Sequence, residues 1–187
     1  MFTGSNITEP DDENVKKWFA MRDLTRSNAK RPAHVILKER NIKCFTPMTW
    51  KLLVRNGKRI RKEMPYIHDL IFVYENRSTL DPIVTRTPTL QYRYLRNANR
   101  RPMTIREQEM EQFIKAVEAT ERPHFYRPDE ITPDMRKRKI RIIGGQLNGY
   151  EGFLITIRGS KVKRLLVELP TLLAVTVEIE PEYIQLI

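Results

Sequence analysis

The spacing of hydrophobic positions changes several times along the chain, and each change marks an element. Val15-Lys16-Lys17-Trp18-Phe19-Ala20-Met21 is rich in large apolar side chains and predicts a strand that ends in the polar stretch from Asp23 to Asn28. Ala29, Ala33, Ile36 and Leu37 then recur at i, i+4, i+7 and i+8, a helical stripe, with Pro32 setting the start of the regular helix close to itself. Cys44 to Val54 and Lys58 to Glu63 flank Arg55-Asn56-Gly57. Asn-Gly between strand-like runs predicts a hairpin, because both turn residues must take positive φ. Between Pro65 and Tyr74, Leu70, Phe72 and Tyr74 share one face while Ile71 and Val73 share the other, so this strand is apolar on both sides. Leu80, Ile83 and Val84 predict a short helix, and Leu90 to Leu95 a strand. Thr104-Ile105-Arg106-Glu107 has the form of a capping box, opening a helix with Met110, Phe113, Ile114 and Val117 as its stripe.

The order β-α-β-β-α-β-α predicts an α+β fold, an antiparallel sheet with helices packed on one face and the other left to solvent or a partner. For the two-sided strand a second reading stays open, in which both faces are internal core.

From Arg122 to Pro133 the pattern stops. Three prolines, Pro123, Pro128 and Pro133, fall within 12 residues that lack any apolar period, which predicts a semi-extended linker. Beyond it the texture changes to short strands around a glycine-rich loop: Lys139 to Ile142, Phe153 to Ile157, Arg164 to Leu169, Leu172 to Ile179 and Tyr183 to Ile187. So small an all-β unit is expected to close into a barrel, since closure removes exposed edges. The expected organisation is an acidic tail (1–14), a first domain (15–121), a linker (122–133) and a small barrel (134–187).

Charge sharpens this division. The formal net charge of +11 is the sum of −4 over residues 1–14, +12 over 15–121 and +3 over 122–187. Residues 142–187 are about neutral, so an anionic partner belongs to the first domain. Many basic surfaces are only solvated faces, and that alternative stands beside the nucleic-acid reading. The N-terminus lacks a basic n-region and an apolar h-region, and no apolar run approaches the roughly 20 residues that span a bilayer. With Cys44 as the single cysteine, these features point to a cytoplasmic protein without a membrane partner.

Candidate chemistry is sparse. His34, His68, His124 and Cys44 are the only soft ligands, and none pair at i, i+3 or i, i+4, so neither a metal nor another cofactor is expected. A Cys44–His68 nucleophile is conceivable if their segments adjoin, but a lone buried cysteine is usually a small hydrophobe. The cluster from Gly144 to Gly152 lacks the Gly-x-x-x-x-Gly-Lys-Ser/Thr spacing of a phosphate loop. The weight therefore falls on binding rather than on an enzyme.

At this point the residues resemble the NusG-like transcription elongation factors. The resemblance lies in Trp18-Phe19, the helix Ala29 to Arg40, Phe45-Thr46-Pro47, the basic Arg55-Asn56-Gly57-Lys58 hairpin and the Pro65-Tyr66-Ile67-His68-Asp69-Leu70-Ile71-Phe72-Val73 strand. The second unit resembles the KOW motif through Ile140 to Gly152, with Gly145, Leu147, Gly149, Tyr150 and Gly152 in the loop. His68 and Leu70 depart from the usual Pro and Tyr. The basic hairpin and the Ile-Phe-Val strand are most similar to the operon-specific branch, RfaH-like and UpxY-type, associated with capsular polysaccharide operons.

The resemblance implies a NusG N-terminal-like domain followed by an SH3-like KOW barrel in a monomeric factor that binds bacterial RNA polymerase, bridges the DNA channel and suppresses pausing or termination. It implies polymerase contact through Ile67, Leu70 and Phe72 with Arg22 beside them. Nucleic-acid contact, to upstream or non-template DNA or nascent RNA, falls to Lys30, Arg31, His34 and Lys38 and to Arg55, Lys58, Arg59 and Arg61 on the hairpin. The barrel would recruit a ribosomal protein, as in many relatives. The alternative function is a ribosome-associated KOW-type RNA-binding protein, which the near-neutral barrel argues against.

Overall fold

The computed structural model describes residues 13–26, 31–95, 100–121, 123–156 and 159–187. Most of the expected acidic tail, together with Ala29 and Lys30, lies outside the described residues. In chain order the first half contains β1 (Lys17–Asp23), α1 (Ala33–Glu39), β2 (Lys43–Phe45), β3 (Met48–Arg55), β4 (Lys58–Pro65), β5 (Leu70–Glu75), α2 (Arg77–Arg86), β6 (Leu90–Tyr92), β7 (Thr104–Ile105) and α3 (Glu107–Glu118). The second half contains β8 (His124–Tyr126), β9 (Lys139–Ile142), β10 (Glu151–Thr156), β11 (Lys163–Leu169), β12 (Leu173–Ile179) and β13 (Ile184–Leu186).

The first sheet runs β2-β5-β1-β6, with β7 also paired to β1, and all its pairings are antiparallel. Register places Phe19 opposite Val73 and Ala20 opposite Phe72, which turns the alternation along the sequence into two apolar faces. Phe19, Met21, Ile71 and Val73 pack with Ala33 and Leu37 of α1 and with Leu80 and Ile83 of α2. Trp18, Ala20, Leu70 and Phe72 pack with Met110, Phe113 and Ala116 of α3. Helices therefore cover both faces, not one as the element order predicts. The cause is β5: a strand apolar on both sides leaves water-averse surface on whichever face goes uncovered.

The capping box is also not realised. Thr104 pairs with Phe19 in β7, so its backbone is committed to the sheet, and α3 begins three residues later behind Arg106, which makes no side-chain cap. Glu107 and Glu109 in the first turn complement the helix dipole instead.

The second sheet runs β13-β9-β10-β11-β12-β8. One of its faces, with Ile140, Ile142, Leu165, Val167, Leu169, Leu173, Val175 and Val177, belongs to the same buried cluster as α3. Residues of opposite parity, Leu166 and Ala174, pack with Ile155 against Tyr126, Ile131 and Met135. Thus α3 lies between two sheets and shares its core with both. The strand path ends at β13 and β8 and is open, where a closed barrel is the expectation from sequence. What closure would achieve is met by other means: α3 covers the apolar face, and β8 pairs along the outer edge of β12. That edge strand comes from within the proline-rich stretch, which continues through short 3-10 turns at Pro128–Glu130 and Pro133–Arg136.

Candidate nucleic-acid interface

β3 and β4 form a two-stranded sheet of their own, an arm that leaves the first sheet at its edge strand β2. Asn56 and Gly57 hold φ of 50° and 73° at the tip, the geometry that the Asn-Gly pair predicts. At the base, the Tyr66 amide donates to the Pro47 carbonyl at 2.9 Å.

The arm carries Lys51, Arg55, Lys58, Arg59, Arg61 and Lys62 against one acid, Glu63, and all seven are exposed. None of the six cations forms a salt bridge among the described residues. Register puts Lys51 opposite Lys62 and Arg55 opposite Lys58, so four cations crowd one face around Leu53 and Ile60. The other face carries Trp50, Leu52 and Val54 with Arg59 and Arg61, and the Arg61 guanidinium lies 4.7 Å from the Trp50 ring centroid. Sequence reasoning found the cations and passed over the apolar row, although Trp50-x-Leu52-x-Val54 has the period of one strand face.

The other predicted nucleic-acid residues are arranged differently. His34 and Lys38 are exposed on α1, Arg31 is ion-paired with Glu39 just outside it, and Lys30 is outside the described residues. This group is less uniformly cationic than the arm, because Glu39 answers Arg31.

The predicted protein-docking residues are mostly covered. Leu70 is 2% exposed and Phe72 0%, while Ile67 is half-buried at the margin of the same cluster. This corrects the expectation of an open patch. The cover is a run of aromatic rings: Phe72 to Phe45, Phe45 to Phe113 and Phe113 to Phe125, each with centroids 6.4 Å apart, and Phe125 to Tyr66 at 5.3 Å. Phe113 belongs to α3 and Phe125 to β8, so this chain's own later elements roof the face. None of these ring contacts is legible locally, since the partners are far apart in sequence.

Beside the roof, the Tyr66 hydroxyl donates to Glu130 Oε2 at 2.9 Å, and the Arg127 amide donates to the same oxygen at 2.6 Å. Burial, then the bond to Glu130, pushes the Tyr66 hydroxyl up to about 12. The Arg127 amide and then Tyr66 hold the Glu130 carboxyl below its ordinary value. Arg22 is exposed at the end of β1, where its Nε donates to Asp69 at 3.0 Å and Arg93 donates to the other oxygen of that carboxylate.

In the glycine-rich loop, Gly145 and Gly149 take φ of 66° and 84°, which the turn requires. Leu147 and Tyr150 are buried in the α3 cluster, and a Cβ on Gly152 would lie 2.3 Å from the Leu166 carbonyl oxygen. Cys44 sits in β2 opposite Val73, while His68 is in the turn before β5. Burial pushes the Cys44 thiol up, with nearby Lys38 opposing, which is the reverse of nucleophile activation. Among the described residues no three His, Cys, Asp or Glu side chains gather as a metal site, and no helix is long and apolar enough to cross a membrane.

The described residues thus form an antiparallel sheet between helices, with a strongly cationic two-stranded arm at its edge. A family model described as transcription termination factor nusG matches residues 16–114. The chain belongs to that family of transcription factors. No curated protein matches it. Among solved structures it is similar to Thermotoga maritima NusG, described for its domain interaction, at 12% identity and a TM-score of 0.43, covering 92% of this chain and 98% of that one.

Proposed function

We propose that this protein is a transcription elongation and antitermination regulator that binds bacterial RNA polymerase and touches nucleic acid through its arm. The observation that carries the reading is the arm itself: six exposed cations without salt-bridge partners among the described residues, on a member of this family. Such a surface attracts phosphate through counterion release, and contacts of this kind position a protein rather than specify a sequence. Upstream or non-template DNA, or nascent RNA, supplies the phosphate.

Polymerase docking uses the sheet face around Ile67, Leu70 and Phe72, aligned on the clamp helices, so that the factor bridges the DNA channel and suppresses pausing or termination. In this arrangement docking exchanges covers: Phe125 and the second sheet leave, and polymerase takes their place. The released second sheet, KOW-like in its loop residues, is then free to close as a barrel and recruit a ribosomal protein. The likeness of the hairpin and the Ile-Phe-Val strand to the operon-specific branch supports reading the factor as a regulator of the capsular polysaccharide type, acting in the cytoplasm as a monomer. Residues 15–121 and 134–187 are the two functional units.

The test is transcription through a pause or terminator with the bacterial polymerase, and the affinity of the full chain for that enzyme. Ile67→Glu alters a half-buried rim position and is expected to weaken polymerase binding at least about tenfold, roughly 1.4 kcal/mol. Substituting Arg55, Lys58, Arg59 and Arg61 together by Gln is expected to reduce readthrough while polymerase affinity in the absence of nucleic acid holds. Wild-type readthrough and affinity in both variants, each shown to be folded, overturns the proposal.

A further inference from the structure

We propose that the β3–β4 arm takes its nucleic acid as a single strand, with an unpaired base stacked on Trp50; this rests on the arm being the nucleic-acid contact argued above. Trp50, Leu52 and Val54 are 49%, 64% and 71% exposed and lie in a row on one face. None of the three joins a buried cluster among the described residues. Three large apolar side chains in water give a ribbon little stability of its own.

Charge selects the occupant. Arg61 already lies against the Trp50 ring, and Arg59 stands on the same face opposite Val54. Glu63 stands opposite Trp50 at the base end of this face, and towards the tip the apolar row is bordered by the two arginines, which suits a ligand that offers a flat π-face and a phosphate together. On the reverse face, Lys51 beside Lys62 and Arg55 beside Lys58 are directly opposed like charges, which weaken a free hairpin. A polyanion along the arm relieves that repulsion. The form of the polyanion follows from the aromatic: in a duplex the base faces are already stacked on one another, whereas an unpaired base has its π-face free.

The measurement is a fluorescence titration of the full chain. Its two tryptophans are separable, because Trp18 is 1% exposed and Trp50 is 49% exposed. An oligothymidylate of about 12 nucleotides is the single-stranded probe, within the length that such sites hold. A blunt duplex of the same length is the second probe. The single strand is expected to quench the solvent-exposed emission and to bind more tightly than the duplex. Trp50→Ala is expected to lower single-strand affinity at least about fivefold while the salt dependence keeps its slope, because no charge is removed. Trp50→Phe is expected to recover most of that loss. A Trp50→Ala variant that binds the single strand like wild type, or a duplex that binds as tightly with the same quench, overturns the stacking inference. So does equal displacement of the strand by polyglutamate, which would reduce the arm to an unselective field. Substituting Lys51, Arg55, Lys58 and Lys62 by Gln is the separate arm: lost affinity for both probes with a flatter salt slope supports the arm as the contact. Unchanged affinity there overturns the arm's role itself, whatever Trp50 does.

Discussion

Replacing Phe125 by Ala tests how the first sheet is roofed. The Phe125 backbone belongs to the second sheet, paired opposite Val175 of β12. Its ring, 4% exposed, lies against Tyr66 and Phe113, which belong to the first half of the chain. Removing a buried phenyl group costs about 3–5 kcal/mol in lost transfer energy and cavity formation. Because both ring partners lie across the boundary, the loss falls on the association of the two halves more than on either sheet. A loss of about 3 kcal/mol multiplies the population of the separated form by about a hundred. Hydrogen exchange read by mass spectrometry is the direct assay, and β5, α3 and β11 are expected to lose protection together. Under the exchange-of-covers proposal, polymerase affinity rises by up to the same factor, since apparent affinity scales with the competent fraction. Unchanged protection in β5 and α3 with a lower unfolding midpoint would place the loss inside the second sheet and refute the reasoning. Weaker polymerase binding from a folded variant would refute the exchange of covers.

Two further outcomes follow from local geometry. The Tyr66–Glu130 contact should have two pH limits: Tyr66, raised to about 12 by burial and by Glu130, contributes stability that is complete below its ordinary value near pH 10 and lost as pH climbs towards 12. Glu130, whose value is lowered, contributes stability present above about pH 4.3 and lost as pH falls through the lowered value. Tyr66→Phe should remove the alkaline step in exchange protection of the Arg127 amide, and an unchanged alkaline step assigns it to another group. Gly152→Ala should destabilise by about 1–3 kcal/mol, because the new Cβ meets the Leu166 carbonyl while Gly152 is paired on its other side with Ile140. A chemical-denaturation midpoint equal to wild type would show that β10 can shift away freely.

Local periodicity carries much of the fold. The stripes Ala33–Leu37 and Met110–Phe113–Val117, the Asn56-Gly57 turn and the two-sided β5 each become the predicted element, because each is fixed by residues within a few positions of one another. What periodicity cannot carry is the identity of the cover. The pattern of β5 requires apolar partners on both faces, yet the sequence does not say that α3 and Phe125 supply them on the Phe72 side. β8 is three residues between prolines and has no period of its own; it exists because β12 offers an edge. The capping box fails for a related reason, since pairing with Phe19 outweighs a local side-chain bond. Of the site, the arm's charge is legible residue by residue, whereas the burial of Leu70 and Phe72 depends on elements distant in sequence, from Phe45 on one side to Phe113 and Phe125 on the other.

The distance along the arm gives the two proposed contacts a testable independence. Lys58 stands at the tip opposite Arg55, and Pro65 at the base opposite Met48, seven residue steps or about 23 Å of strand. Tyr66, one residue past the base, is the point where the arm meets Phe125 and Glu130. Sites more than about 10 Å apart without shared partners usually combine additively to within about 0.5 kcal/mol. Lys58→Gln and Phe125→Ala should therefore add in a double-mutant cycle on nucleic-acid affinity, with an interaction term below about 0.5 kcal/mol. Trp50 stands opposite Glu63, which is three residues from Tyr66, so it lies nearer the roof than Lys58 does. A term above about 1 kcal/mol for the Lys58 pair would mean that the arm moves with the roof as one body, and separating the sheets would then change how nucleic acid is held.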